Sequence, residues 1–174
     1  ALAAQLIRAV VGRYNVNGKE AYIGASVGIA VATSAAESPA ELLSQADLAM
    51  YQAKADGRGV YRFFEPEMQR RAEERRLLEL DLHQAVDESA FELHYQPFVD
   101  LQRRAVAGFE ALIRWKRGAR GFVPPGEFIT LAEENGLIMR IGEWALRRAC
   151  HDATKWPPGV RVAVNLSPVQ FRHP

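Results

Sequence analysis

Residues 91–101 read FELHYQPFVDL and residues 105–115 read AVAGFEALIRW. Only a short turn separates the two segments, so the sequence predicts two antiparallel strands. Side chains alternate between the faces of a strand, which places Glu110, Leu112 and Arg114 on one face of the second strand. A glutamate within an apolar strand is costly to bury without a partner. Glu110 is therefore either a functional acid or half of a buried ion pair, for which Arg114 is the nearest partner.

Helices and strands alternate after this pair. Helices are predicted over residues 125–135 and 141–156, and a third strand is predicted over residues 160–167, which read VRVAVNLS. Strands that are separated by helices predict a parallel sheet with crossover connections from the second strand onward. The second half of the chain therefore has the pattern of an α/β fold.

The third strand contributes a second polar group. Asn165 alternates with Val164 and Leu166 and lies near the C-terminal end of its strand, as Glu110 nearly does. Chemistry in α/β barrels is located at this end of the strands, and carboxylate and amide oxygens suit Mg²⁺ or Mn²⁺. Asn165 is alternatively a strand-end cap. Gln96 is either a polar contact of the same site or a plain surface residue.

The first half of the chain predicts further elements. Apolar residues recur at helical spacing over residues 1–14, a turn signal occupies residues 15–18, and one buried strand is predicted over residues 21–32. A second helix begins after Ser38, and residues 60–64 form a short strand.

Residues 65–88 differ from both flanking regions. They are strongly charged and free of glycine, which predicts a linking helix that contains the domain boundary. Their charges are interpreted as a solvated face.

Composition narrows the function. The 174 residues are 48% hydrophobic and 25% charged with a net charge of +1, which argues against a general nucleic-acid binder. The single cysteine, Cys150, excludes an internal disulfide and is expected in the core. No apolar run approaches the length of a membrane span.

Five motifs in order resemble the first part of an EAL domain, a family of bacterial phosphodiesterases that hydrolyse cyclic di-GMP. The resemblance covers about residues 76–174, and the motifs are HYQPFVDL, GFEALIRW, PPGEFITLAEENGLI, GEWALRRAC and VAVNLSPVQF. Residues 1–64 are similar to the end of a GGDEF domain, the diguanylate cyclase fold, through ASVGIAVA and ELLSQADLAMYQAKADGRGVYRFF. The two families commonly occur in tandem in this order.

The resemblance implies an α/β architecture in three parts. Residues 1–64 are expected to form the C-terminal part of a cyclase-like α+β domain, residues 65–88 a linking helix, and residues 89–174 the first part of a (β/α) TIM-like barrel. The family's other metal ligands and its lysine would lie beyond Pro174, and the GGDEF motif would precede Ala1. The 174 residues alone are therefore expected not to hydrolyse cyclic di-GMP.

The resemblance also implies roles for single residues. Glu110 and Asn165 match metal ligands of the family, Arg114 matches a residue that contacts the substrate phosphate, and Gln96 and Leu112 are expected to line the substrate site. The implied reaction is hydrolysis of cyclic di-GMP to linear pGpG with two Mg²⁺ or Mn²⁺ ions.

Lys54 and Arg58 match GTP-phosphate contacts of the cyclase family, although solvated cations at a helix end explain them equally well. The resemblance further implies a homodimer in the cytoplasm and leaves open an inner-membrane anchor in a region before Ala1. Two alternatives to the phosphodiesterase remain: an inactive EAL domain that senses cyclic di-GMP, and a protein in which cyclase activity dominates.

Overall fold

The computed structural model describes residues 2–32, 34, 38–118 and 121–171. They form a mixed α/β chain that divides into two compact units, Ala1–Arg76 and Leu77–Pro174. In the part of the chain that the structure describes, no helix is both long and apolar enough to cross a membrane.

The first unit opens with a helix and a β-hairpin. Helix α1 spans Leu2–Val10, and strands β1 (Gly12–Val16) and β2 (Lys19–Ile23) pair antiparallel. Asn17 and Gly18 connect the strands with φ angles of 53° and 81°, the left-handed conformations that a primed two-residue hairpin turn requires. The predicted helix over residues 1–14 is therefore wrong at its end, because this turn pairs residues 12–16 with the strand that follows.

The single buried strand predicted over residues 21–32 is also wrong. The region contains the end of β2 and a separate strand, β3 (Val27–Ile29), which pairs in parallel with β4 (Tyr61–Phe63). The hairpin turn commits residues 19–23 to pairing with β1, so β3 begins anew after Gly24 and belongs to a different sheet.

Helix α2 spans Pro39–Ala55 and confirms the predicted start after Ser38. The Ser38 hydroxyl accepts from the Glu41 backbone N–H at 3.2 Å, and the Glu41 carboxylate accepts from the Ser38 N–H at 2.9 Å. This reciprocal pair satisfies two N–H groups that a helix start otherwise leaves open. At the other end, Gly57 has a φ of 105°, which lets the chain leave the helix in a left-handed turn.

Helix α3 spans Pro66–Asp87, as the glycine-free charged segment predicts, and leads into the sheet of the second unit. Strand β5 (Phe91–Asp100) pairs antiparallel with β6 (Ala105–Lys116), and β7 (Phe122–Val123) adds a short antiparallel pair at the end of β6. Strand β8 (Arg161–Val164) pairs with β6 in parallel. The predicted antiparallel pair and the parallel third strand are confirmed, but the third strand was predicted to reach residue 167 and ends at Val164. The two-residue β7 had no recognisable sequence signal.

Two helices connect β7 to β8. Helix α4 spans Pro125–Asn135 and ends at Gly136, which has a φ of 80°. Helix α5 spans Ile138–Ala153 and therefore begins earlier than the predicted residue 141. A short 3-10 helix, Pro168–Phe171, follows β8. Cys150 is exposed on α5, so its expected place in the core is wrong.

The core of the second unit lies on one face of its sheet. Its side chains come from α3, the sheet and both connecting helices, and the largest fully buried ones are Trp115, Phe128 and Leu82. Phe91 contacts the rings of Trp115 and Phe128 at centroid distances of 6.2 and 6.0 Å. Side chains of β5 that alternate with Phe91, including Gln96, are exposed on the opposite face.

Candidate active site

Two polar side chains that are remote in sequence meet on the exposed face of this sheet. The amide Nδ2 of Asn165 donates a 2.7 Å hydrogen bond to Oε1 of Glu110. The pairing of β6 with β8 places Glu110 opposite Ala163, so Asn165 lies two residues further along and on the same face. The structure therefore brings together the two residues that the sequence placed near adjacent strand ends.

Gln96 lies beside this pair. It is the direct cross-strand neighbour of Glu110 in the β5–β6 ladder, and directly opposite residues of an antiparallel pair share a face. Gln96 is exposed there. Strand β5, strand β6 and the residue after β8 thus each contribute one polar group to a row across the sheet.

Leu112 and Arg114 continue the face of Glu110 along β6. Leu112 lies opposite His94 and Arg114 lies opposite Glu92. The Arg114 guanidinium donates from Nη1 to the Ile113 carbonyl at 3.0 Å. Among the described residues, no ion pair joins Glu110 to Arg114, so the buried ion pair that the sequence left open is not what this glutamate forms.

A cleft opens next to these strands, between β6, β8 and helices α4 and α5. Its volume is about 330 Å³, and its wall includes Leu112, Arg114 and Asn165 together with Glu133 of α4. Glu110 and Gln96 do not line this cleft, which includes residues from the sheet face that packs against the helices. The cleft is mainly apolar away from these polar groups, with Ile113, Ile129, Ile138 and Ile141 in its wall.

Sequence reasoning missed a second polar contact in the cleft. The Ser167 hydroxyl donates to Oε1 of Glu133 at 2.6 Å. The two residues are 34 positions apart, and neither has a spacing that identifies the other. The only signal was that Ser167 directly follows the Asn165-Leu166 dipeptide of a motif with a polar role.

The paired residues fit a divalent cation in part. A carboxylate and a side-chain amide oxygen are hard donors of the kind that Mg²⁺ and Mn²⁺ take, and they lie within direct contact of each other. Among the described residues, no group of three or more histidine, cysteine, aspartate or glutamate side chains is placed to hold a metal. Glu110 and Asn165 are therefore two donors of a site that needs about six oxygens in total.

A hydrogen-bonded network supports the opposite face of the same strands. The Tyr95 hydroxyl donates to Oδ2 of Asp152 at 2.9 Å, and Arg148 Nε donates to the same oxygen at 3.0 Å. Burial of the Tyr95 ring, with the hydrogen bond to Asp152, raises the pKa of Tyr95 to about 12. The hydrogen bond from Tyr95 and the pairing with Arg148 lower the pKa of Asp152. Trp156 packs against both Tyr95 and Phe109, the residue before Glu110.

Lys54 and Arg58 belong to the first unit and are exposed at the end of α2. The Arg58 N–H donates to the Ala53 carbonyl at 3.2 Å, which closes the helix end, and its φ of 64° places it in the left-handed region. The backbone of Arg58 is thus fixed while both charged side chains remain open to solvent.

Both units of the chain are similar to known protein families. The family model "EAL domain" matches residues 79–174, over half of the chain, and the model "Diguanylate cyclase, GGDEF domain" matches residues 1–60. An uncharacterized signaling protein of Caulobacter vibrioides is 45% identical over 99% of this chain and 21% of its own length. The bifunctional diguanylate cyclase/cyclic di-GMP phosphodiesterase MucR of Pseudomonas aeruginosa is 42% identical over 99% of this chain and 26% of its own length.

A solved structure of the MucR phosphodiesterase in complex with cyclic di-GMP is similar with a TM-score of 0.51 and 42% identity. The match covers 56% of this chain and 41% of the solved one. The chain spans about a fifth to a quarter of the length of the curated relatives it matches.

Proposed function

Because this chain belongs to the EAL domain family, we propose that its second unit provides the first part of a site that hydrolyses cyclic di-GMP to linear pGpG. The observation that carries the proposal is the 2.7 Å contact between Asn165 and Glu110. Relatives of this chain include proteins that are named cyclic di-GMP phosphodiesterases, which supports the choice of substrate.

Glu110 and Asn165 would hold Mg²⁺ or Mn²⁺ in this proposal. When bound, such an ion polarises a phosphodiester and lowers the pKa of a water. The contribution of the chain is to hold both oxygen donors at adjacent strand positions, so that little side-chain freedom remains to be lost when the cation binds. The remaining donors would come from residues outside this sequence.

Three further residues would bind the nucleotide. Arg114 lies on the same face of β6 as Glu110, where its guanidinium would hold a phosphate through charge-assisted hydrogen bonds. Leu112, between Glu110 and Arg114 on the same face of β6, would offer apolar contact to the substrate. Gln96, opposite Glu110, would supply a polar contact from the neighbouring strand.

The main alternative is a catalytically inactive domain that binds cyclic di-GMP and acts as a sensor. The contact between Glu110 and Asn165 favours the enzyme, because binding of the nucleotide alone does not require two hard oxygen donors side by side. Both functions share Arg114 and the exposed face of the sheet, so substrate binding by itself does not separate them.

The first unit suggests a role for the remaining two residues. Lys54 and Arg58 are exposed cations at the end of α2 and would contact GTP phosphates in a diguanylate cyclase domain. A full-length protein with both domains would work in the cytoplasm, where GTP is available, and would function as a homodimer. Cyclase activity that dominates over the phosphodiesterase is the second alternative.

The deciding experiment is an assay of the full-length protein with cyclic di-GMP and either Mg²⁺ or Mn²⁺, with products separated by chromatography. We expect pGpG to accumulate, EDTA to stop the reaction and Mn²⁺ to restore it. Tight binding of cyclic di-GMP without turnover would support the sensor instead. A parallel assay with GTP measures the cyclase and would show which activity dominates.

A further inference from the structure

The loop that follows β8 is connected to helix α4 by a side-chain hydrogen bond. Ser167, two residues beyond Asn165, donates from its hydroxyl to Oε1 of Glu133 at 2.6 Å. The same hydroxyl accepts from the Val169 backbone N–H at 3.2 Å. Both partners are half-buried, where a hydrogen bond to a carboxylate is stronger than the same bond on an open surface.

A second connection joins the loop to helix α5. The Ser167 backbone N–H donates to Oε1 of Gln170 at 2.9 Å. The Gln170 amide lies against Gly142, since a Cβ added to Gly142 would lie 2.1 Å from its Nε2 atom. The approach of the Gln170 amide uses the space left by the missing side chain at Gly142, so the loop is bonded to α4 and packs against α5.

These contacts bear directly on Asn165. Strand β8 ends at Val164, so the ladder with β6 no longer holds the backbone where Asn165 begins the loop. The Asn165 amide must nevertheless stay within hydrogen-bond reach of Glu110. Ser167 is the nearest residue on the far side of Asn165 whose side chain is bonded to another element.

We propose that Glu133 is a positioning residue that holds Asn165 in place for the metal through its hydrogen bond to Ser167. The inference rests on the proposed function, because it takes Asn165 to be a cation ligand. Glu133 acts through the loop and does not itself touch the cation. The effect comes from hydrogen-bond acceptance by its carboxylate, so a glutamine at the same position can replace it and an alanine cannot.

The first test follows the loop in the metal-free protein and therefore does not depend on catalysis. Hydrogen exchange of residues 165–171 is measured by mass spectrometry in the full-length protein and in the variants Glu133→Ala and Glu133→Gln. We expect exchange to accelerate about tenfold in Glu133→Ala, because the hydrogen bond from Ser167 is lost, and to accelerate much less in Glu133→Gln, because the amide oxygen still accepts that bond. Unchanged exchange in Glu133→Ala would overturn the proposal.

The second test measures Mn²⁺ binding by electron paramagnetic resonance with the same variants. We expect Glu133→Ala to weaken Mn²⁺ binding by about 10- to 100-fold, the range typical of residues that orient a ligand, and Glu133→Gln to recover most of it. If glutamine binds Mn²⁺ as weakly as alanine does, the carboxylate charge matters and the positioning role is wrong.

Two controls separate the inference from simple loss of stability and from failure of the proposed function. Glu127→Ala removes an exposed acid from the same helix and should change neither measurement. Ser167→Ala should reproduce Glu133→Ala, and the double variant should be no worse than either single one; additive effects would contradict the proposed coupling. If the wild-type protein binds Mn²⁺ but does not hydrolyse cyclic di-GMP, the proposed phosphodiesterase function is wrong. Hydrogen exchange and Mn²⁺ binding in the variants still test the positioning role of Glu133 in that case.

Discussion

Asn165 and Glu110 are 55 residues apart and form a 2.7 Å hydrogen bond from amide to carboxylate. The contact arises because β6 and β8 run in parallel, so that Glu110 in the middle of β6 lies beside the residue that follows the end of β8. Among the described residues, Glu110 forms no ion pair, and its carboxylate is instead bonded to Asn165. The arrangement leaves an acidic group and an amide available for a cation.

We expect Glu110→Gln to abolish most phosphodiesterase activity of the full-length protein. Glutamine preserves the size of the side chain and can still accept from Asn165, but it removes the charge that attracts a divalent cation. The loss of kcat should exceed about 100-fold, beyond what residues outside the ligand set usually contribute. Initial rates with Mn²⁺ measure the effect.

The matched control for this change is Glu143→Gln, which neutralises an exposed acid of α5 that pairs with Arg147. Its activity should stay within about twofold of wild type, because exposed ion pairs contribute little. Comparable losses in the two variants would mean that net charge, and not a cation site at Glu110, determines the rate.

Arg114→Lys should weaken substrate binding while leaving the cation in place. Lysine keeps the positive charge but loses the planar fork that grips two phosphate oxygens. We expect KM for cyclic di-GMP to rise about tenfold, with Mn²⁺ affinity unchanged. An exposed arginine of α5, Arg147, gives the control substitution Arg147→Lys, for which KM should not change. A loss confined to kcat would argue against a binding role for Arg114.

Gly108→Ala tests how tightly β6 and β8 must approach. A Cβ at Gly108 would lie 2.3 Å from the Arg161 carbonyl oxygen and 2.5 Å from the Phe98 ring, so the strands would have to separate. Overpacking of this kind costs about 1–3 kcal/mol, which thermal unfolding measures as a lower transition temperature. Gly126→Ala is the comparison, since nothing lies within 4 Å of an added Cβ there and alanine favours a helix. Equal transition temperatures would show that the ladder tolerates the extra atom.

The fold was predictable where local chemistry decides the structure. Ser38 with Glu41 identified the start of α2, and Gly136 identified the end of α4, because each helix end needs specific groups for its open backbone positions. The hairpin at Asn17-Gly18 was missed although its turn residues were recognised. Apolar residues at helical spacing favour a helix before the turn. In the fold the turn pairs residues 12–16 with residues 19–23, and this pairing ends the helix earlier.

The site was predictable only along the strands. Alternation and strand direction place Glu110 and Asn165 at one end and on one face, from sequence alone. The contact of Ser167 with Glu133 was not predictable, because it depends on how α4 packs beside the end of β8. A contact between a helix and a distant loop produces no repeating pattern of residues in the sequence, so the sequence does not indicate it.

The 174-residue chain by itself should show no measurable hydrolysis of cyclic di-GMP. Its described residues offer two oxygen donors side by side, whereas Mg²⁺ takes about six. Exposed apolar side chains, such as Leu101 in the turn after β5 with 84% of its surface exposed, also favour aggregation of the isolated chain. The assay uses purified chain with excess Mn²⁺, and light scattering follows its association. Turnover by a monomer would contradict both parts of this expectation.

Tyr95 and Asp152 should make stability depend on pH at both extremes. The lowered pKa of Asp152 means that the fold favours its charged form. This stabilisation is complete at pH values above the pKa that Asp152 has in the unfolded chain. It is lost as the pH falls through the pKa that Asp152 has in the folded chain. Tyr95 has a pKa raised to about 12, so its neutral form is favoured. That contribution is complete below the unfolded pKa of about 10 and disappears as pH rises toward 12.

Tyr95→Phe should therefore lower stability by about 1 kcal/mol at neutral pH, the usual contribution of one such hydrogen bond, and the difference from wild type should shrink at both extremes of pH. Thermal unfolding of the full-length protein from acid to alkaline pH measures it. Tyr51→Phe removes an exposed hydroxyl from α2, and its stability should equal that of wild type at every pH.

Because Trp156 contacts both Tyr95 and the Phe109 ring next to Glu110, Mn²⁺ affinity measured in parallel shows whether this network also supports the site. A difference between Tyr95→Phe and wild type that stays constant with pH would show that lost packing, and not the bond to Asp152, causes the change.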